Sequence, residues 1–169
     1  EDKLVSISSA EGDMIDQTMI KSDPTMLKFA NEHNPKNPNM VSLVVGGVKL
    51  LLHSGQTQSS MPVELAFQQK YGVIREYAWF GQGYLFVGFE TGYMVIISSD
   101  TGDVIDELFS FRFHHNGLDM FCVHHDLQRC ATAGDGMVKL INMKDKFREW
   151  KESKSDRTYI SSEVAKVCQ

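Results

Sequence analysis

An all-β fold built from repeated four-stranded antiparallel units is what this sequence predicts, and three observations predict it. The apolar runs are short, rich in β-branched and aromatic residues, and fall below the roughly 10–12 residues at which a helix becomes attractive. Glycine or a polar turn closes nearly every run, as in strands joined by tight connections. Runs that directly follow such turns begin at Leu4, Val48, Tyr93 and Met137, at intervals of 44, 45 and 44 residues. A β-only unit with a period of about 40–45 residues has the length of one blade of a β-propeller. One small twisted sheet cannot bury both faces alone, and stacking such sheets about an axis covers them.

Residues 75–103, REYAWFGQGYLFVGFETGYMVIISSDTGD, set the pattern. Runs 75–80, 84–89 and 93–98 are separated by Gly81-Gln82-Gly83 and Glu90-Thr91-Gly92, and Asp100-Thr101-Gly102-Asp103 leads to a fourth run over 104–111. From the start of the chain, runs 4–9 and 14–20 form a hairpin about Ala10-Glu11-Gly12-Asp13. A strand follows Pro24 over 26–30. Residues 31–39 hold four asparagines and two prolines, so a mobile loop is expected there. Runs 41–45 and 48–53 flank Gly46-Gly47, residues 54–60 are a polar connector, and 63–69 returns as an outer strand. The fourth unit comprises runs 118–124, 129–133 and 137–142, with 147–151 as its candidate last strand. Residues 152–157 are charged, and 159–168 read equally as a blade strand or a short helix.

The expected organisation is therefore residues 1–151 as a section of a propeller, about three four-stranded blades with partial blades at both ends. Residues 152–169 form a charged tail that could start a further blade. A closed ring takes about 4–8 blades, so the sequence is expected to be a section of a longer protein.

Composition narrows the function classes. Charged residues make up 23% and hydrophobic ones 42%, which describes a globular chain rather than a disordered one. The net charge of −5 leaves no electrostatic footprint for nucleic acid or anionic lipid. The most apolar window, residues 41–52, contains Gly46, Gly47 and Lys49 and is far shorter than the ~20 residues that span a bilayer. Three cysteines, Cys122, Cys130 and Cys168, with no signal peptide and no glycosylation sequon, favour a reducing cytosolic setting.

The fourth unit, FHHNGLDMFCVHHDLQRCATAGDGMVKLIN, resembles a WD repeat. His114 stands four residues before Leu118, where the family places a Gly-His pair ahead of the innermost strand, with Phe113 in place of the glycine. Asp135-Gly136 resembles the family's turn, and Ile141-Asn142 occupies the places of its terminal Trp-Asp. The resemblance implies a buried hydrogen-bond network of His114, Thr132 and Asp135, weakened by the missing tryptophan. The order of EDKLVSISSAEGDMIDQTMIKSDP, VELAFQQKYGVIREYAWFGQGYLFVGFETGYMVIISSDTGDVIDELF, HHNGL and CATAGDGMVKLIN is similar to WD-repeat subunits of intraflagellar transport complex A. That similarity runs from Glu1 to about residue 145 and is sharpest over 64–109.

This resemblance implies a non-enzymatic scaffold without cofactor. Its expected partners are other complex A subunits, ciliary membrane-cargo adaptors and transport trains, with no nucleic acid. Its expected places are the cilium or flagellum, the basal body and the cytoplasm. The loops before the innermost strand and after the second strand share one face, so His114, His115, Asn116, Glu90 and Thr91 form the candidate protein-contact set. A second reading is another WD-repeat peptide-binding module, such as a vesicle-coat subunit or a ubiquitin-ligase substrate receptor.

Other chemistry fits less well. Cys122, His124, His125 and Cys130 offer soft ligands but not the spacing of a zinc site. His114 lacks a nucleophile with which to do acid–base work. Gly81, Gly83 and Gly88 precede a strand, whereas a dinucleotide fingerprint opens a helix. Asp100, Asp103 and Asp106 lack calcium-loop spacing. The aromatics Trp79, Phe80, Tyr84, Phe86 and Phe89 are expected in the core between blades, and Met14, Met19, Met94 and Met120 in its irregular gaps.

Overall fold

The computed structural model describes residues 3–54, 62–99, 107–142 and 164–166. They form a two-stranded hairpin followed by three four-stranded antiparallel sheets. The hairpin is β1 (Leu4–Ser8) and β2 (Met14–Met19). The second sheet runs β3 (Pro24–Phe29), β4 (Met40–Val45), β5 (Lys49–Ser54) and β6 (Val63–Ala66) in spatial order. The third is β7 (Ile74–Phe80), β8 (Tyr84–Phe89), β9 (Tyr93–Ser98) and β10 (Glu107–Arg112). The last is β11 (Met120–His124), β12 (Arg129–Gly134), β13 (Met137–Asn142) and β14 (Val164–Lys166). Each four-stranded sheet is a meander, as in a propeller blade.

Packing between sheets explains why the central strands are apolar without interruption rather than alternating. On β8, Leu85, Val87 and Phe89 face the second sheet and join Val44, Leu50 and Leu52 in one core cluster. Phe86, from the opposite face of the same strand, joins Phe121, Cys130 and Ile141 of the last sheet and Phe113 and Leu118 of the loop leading into it. The second sheet is likewise buried on both sides, because Val41, Leu43, Val45 and Leu51 pack against Ile20 and Val5 of the hairpin. His53 Nε2 lies 2.9 Å from Asp16 Oδ2 and fastens that hairpin further.

The aromatic group picked out from the sequence is buried but is not one cluster. Trp79 and Phe89 belong to the core toward the second sheet, whereas Phe80 and Phe86 belong to the core toward the last. Tyr84 is partly buried against that second core. Period-two alternation along β7 and β8 sends sequence neighbours to opposite faces. Of the four strand methionines, only Met94 fills the interior. Met14, Met19 and Met120 are 61%, 82% and 64% exposed, on sheets with one packed face each among the described residues.

Residues 31–39, read from the sequence as a loop, form one, and its contacts show how it is held. The segment begins with a single 3-10 turn, Asn31–His33, and closes on itself through Asn31 N donating to Pro38 O at 3.0 Å. It docks on the third sheet. Gly83 N donates to His33 O, and the buried Asn34 donates its Nδ2 to Ser99 Oγ at 3.2 Å. Asn34 also accepts from Asn37 N through Oδ1, and Asn37 Nδ2 donates to Ser54 Oγ at 2.8 Å, so two of the asparagines tie the loop down through their side chains.

Residues 159–168 read equally as strand or helix. Val164–Lys166 is a strand, paired antiparallel to β13 as the fourth strand of the last sheet. Residues 147–151, expected in that place, lie outside the described residues, as do the connector at 55–61 and the turn at 100–106.

Two substitutions test the packing. Trp79 is buried in the core between the second and third sheets and its Nε1 donates to Ser42 Oγ at 2.8 Å. Trp79→Ala is expected to cost about 3–5 kcal/mol in urea unfolding, and a midpoint equal to the parent's would place this indole outside the core. At Gly88 an added Cβ would stand 2.5 Å from Leu118 Cδ2 and 2.9 Å from the Phe121 ring. Gly88→Ala is therefore expected to cost about 1–3 kcal/mol in the same assay, and a neutral result would mean that the third and last sheets sit farther apart.

Candidate protein-interaction face

The turn between the second and third strands of a sheet lies against the loop leading into its first strand. In the third sheet Glu90 N donates to Val73 O at 2.8 Å, and Glu90 Oε1 accepts from Val73 N at 3.0 Å. Thr91 Oγ1 donates to Tyr71 O at 2.6 Å. In the last sheet Asp135 does the equivalent work with both carboxylate oxygens, accepting from His115 N and Asn116 N at 2.6 Å each. The same turns reach the following sheet, since Gly47 O accepts from Ile74 N at 2.7 Å and Gly92 O from Phe113 N at 2.9 Å. Backbone groups that would be orphaned in these loops are thus paired.

Behind this face His114 is fully buried. Its Nε2 lies 3.0 Å from Thr132 Oγ1, and its Nδ1 is 3.6 Å from Asp135 Oδ2, beyond hydrogen-bond reach. Gly134 is what lets the ring in: a Cβ there would stand 2.9 Å from Nδ1 and collide with the Gly117 carbonyl. Ile141, in the place where WD repeats carry tryptophan, packs into the apolar core instead. Burial pushes His114 below the ordinary histidine value, nearby Lys139 adds to this, and Asp135 opposes it. For Asp135, burial acts upward, but the hydrogen bonds from Asn116 N and His115 N outweigh it. With His114 and Lys139 they hold the carboxyl below its usual range.

The structure brings the five candidate contact residues to one region and gives them different exposure. His114 is interior, and Glu90 and Thr91 spend polar atoms on the Val73 and Tyr71 backbone. His115 and Asn116 are exposed, with only their backbone N–H groups shown held by Asp135. Two cations absent from that set lie beside it. Arg112 donates Nε to Thr91 O at 3.1 Å and Nη2 to His115 O at 2.7 Å, with its guanidinium carbon 5.5 Å from the Tyr93 ring centre. Lys70 Nζ lies 4.9 Å from the Tyr71 ring and 5.9 Å from that of Tyr93. Contacts between separate loops leave no spacing pattern by which the sequence could announce them.

A second polar group also escaped the sequence. Ser42 Oγ, buried between the second and third sheets, accepts from Trp79 Nε1 and lies 3.0 Å from Lys28 O, while Tyr77 Oη donates to Ser42 O at 2.8 Å. Burial pushes the Tyr77 phenol up to about 12. Lys28 Nζ bridges Glu76 Oε1 at 2.6 Å and Tyr77 O at 2.5 Å. Strands β3, β7 and β11 line a common cleft of about 410 Å³ along Lys28, Glu76, Trp79, Phe121 and Cys122, with His33 and His125 stacked 3.7 Å apart at its wall.

The two described cysteines face opposite ways, and Cys168 lies outside the described residues. Cys130 is buried toward the third sheet, and burial, with a contribution from Cys122, pushes its thiol up to about 12. Cys122 is exposed, and His124 Nδ1 accepts from Leu127 N in the turn. Among the described residues no three His, Cys, Asp or Glu side chains are grouped to hold a metal ion. Gly81 and Gly83 adopt positive φ in the β7–β8 turn, and a strand follows them. The Asp100, Asp103 and Asp106 positions lie outside the described residues.

Comparison with known proteins adds the family. Residues 1–167 match the family model described as the WDR19 first beta-propeller. The chain is 34% identical over 154 residues to human (Homo sapiens) WD repeat-containing protein 19, covering 87% of this chain and 11% of that protein. The mouse (Mus musculus) protein of that name is 37% identical over 147 residues, 85% and 11% of the two chains. WD repeat-containing protein dyf-2 of Caenorhabditis elegans is 32% identical over 145 residues, 85% and 10%. The chain thus spans about a tenth of these relatives' length. Among solved structures, the Cps50 (Swd1) β-propeller domain of Myceliophteria thermophila superposes with a TM-score of 0.64 at 11% identity, over 96% of this chain and 51% of that one. At that identity it shows the fold alone.

The lowered His114 and Asp135 give stability a defined pH dependence. His114 takes up its proton at lower pH in the folded chain than in the unfolded one, so its contribution is intact above 6.5 and declines as pH falls below that value. Asp135 adds a second loss below 3.8, as pH falls through its lowered folded value. The urea midpoint is expected to be level between about pH 7 and 8 and to fall below about 6.5, with the acid-most loss missing in Asp135→Asn. A midpoint constant down to about pH 4 would overturn this reading of the network.

Proposed function

From the premise that this chain belongs to the family of WDR19 first β-propellers, we propose that it works within a non-enzymatic scaffold subunit of intraflagellar transport complex A. In this reading the propeller makes protein contacts that serve retrograde ciliary transport and the delivery of membrane proteins into the cilium. Its partners are the other complex A subunits, ciliary membrane-cargo adaptors and the transport trains. Its places of work are the cilium or flagellum, the basal body and the cytoplasm.

The observation that carries the proposal is 34–37% identity to WD repeat-containing protein 19 over 85–87% of the chain. The geometry supports a scaffold in a second way. The polar side chains that WD repeats share are spent on backbone and on one another, so they hold the loop face in place behind its exposed residues. No helix among those residues is long and apolar enough to cross a membrane.

Affinity capture of the full-length protein from ciliated cells tests the proposal. Complex A subunits are expected in the eluate, and a ubiquitin-ligase adaptor or coat subunits in their place would sink it. The doubly substituted His115→Ala/Asn116→Ala protein should retain stability within about 0.5 kcal/mol, because both side chains are exposed. Its partner recovery should fall about fivefold, as for loss of a contributing interface residue. Full recovery would remove these two side chains from the contact face.

A further inference from the structure

The chain carries a net charge of −5, yet two cations gather on the loop face around one tyrosine, with a third, Arg75, paired to Glu90 of the same turn region. Arg75 Nη2 lies 3.9 Å from Glu90 Oε2, a long pair between exposed groups. Arg112 and Lys70 each stand within 6 Å of the Tyr93 ring centre. Among the described residues no carboxylate pairs with either of them. Arg112 gives its hydrogen bonds to two carbonyls, which fix the side chain without offsetting its charge. The nearest motif carboxylate, Asp135, turns both oxygens inward to the His115 and Asn116 backbone, with only 10% of its side chain exposed.

We propose that Lys70, Arg112 and Tyr93, flanked by Arg75 and His115, form a docking surface for a short acidic segment of a partner protein. A guanidinium already held at Nε and Nη2 offers its Nη1 side to a carboxylate and loses little rotamer freedom on binding. The half-buried Tyr93 ring gives the two cations a common platform. Glu90 occupies Arg75 in the free chain, so an arriving carboxylate is drawn first to Lys70 and Arg112. Charge complementarity favours a short protein segment over an anionic bilayer. A bilayer is broad, and a chain of net −5 meets it with net repulsion. The surface is defined by these residues, whichever assembly the propeller serves.

Fluorescence anisotropy of the purified chain with labelled octaglutamate, and with octaglutamine as the neutral counterpart, tests the proposal. Octaglutamate is expected to bind, with affinity dropping steeply between about 50 and 200 mM salt. Lys70→Glu and Arg112→Gln are each expected to weaken binding about tenfold. Lys21→Glu changes the net charge as Lys70→Glu does, on an exposed position after the hairpin, and should bind as the parent does. Because Arg112 also ties two loops, Lys70→Glu decides the matter if Arg112→Gln unfolds, provided that its thermal melt matches the parent. Equal binding of octaglutamine, equal weakening by Lys21→Glu, or capture by phosphatidylserine vesicles without octaglutamate binding would each overturn the assignment.

Discussion

Both faces of a central sheet must leave water, and in this chain each sheet meets that demand only against its neighbours. The third sheet shows the consequence most fully. Leu85, Val87, Val95 and Ile97 turn to one side, while Phe86, Met94 and Ile96 turn to the other. At about 25 cal/mol per Å² of apolar surface removed from water, those side chains supply the drive that holds separate meanders together. The spacing between sheets then becomes a constraint of its own. Gly88 exists as glycine because Leu118 and Phe121 come to where a Cβ would be, and Trp79 reaches across to Ser42 because the sheets are close enough for a hydrogen bond.

Close stacking leaves loops pressed together at the rim, and their backbone groups must be paired there. The third and last sheets solve this with the same device built from different residues. A carboxylate in the turn between second and third strands accepts N–H groups of the loop before the first strand: Glu90 for Val73, Asp135 for His115 and Asn116. The shorter aspartate sits at positive φ, 55°, which aims both oxygens at adjacent N–H groups. Glutamate, one methylene longer, reaches a single N–H and keeps its other oxygen near Arg75.

That pair shows what a sequence exposes and what it conceals. The repeat of 44–45 residues and the glycine turns made the sheets legible, because strand length and turn chemistry are local properties. Asp135, Thr132 and His114 were singled out through their likeness to a known repeat, and of the implied hydrogen bonds only the His114–Thr132 contact is within reach, Asp135 Oδ2 lying 3.6 Å from the ring nitrogen. Glu90 was singled out only as a surface residue, since nothing near it in sequence says that its carboxylate will meet Val73, 17 positions earlier. The pairing of Ser42 with Trp79 and Tyr77, and of Arg112 with Tyr93, depends on how neighbouring sheets and loops are set. Residues 31–39 conceal their docking for a related reason: asparagine suits an open loop and a loop pinned by side-chain hydrogen bonds equally well.

The buried network and the exposed face are mechanically one object. Thr132 and Gly134 seat the His114 ring, and Asp135 beside it grips the backbone at His115 and Asn116. His115 in turn offers its carbonyl to Arg112, whose guanidinium lies by Tyr93. Each step is a contact between a group with few rotamers left and one that would otherwise move. A scaffold gains from such a chain, because orienting a surface side chain before a partner arrives removes part of the entropy cost of association. On the proposed reading the motif residues act on recognition at one remove: they need not touch a partner, since they hold in place the backbone that carries His115 and Asn116.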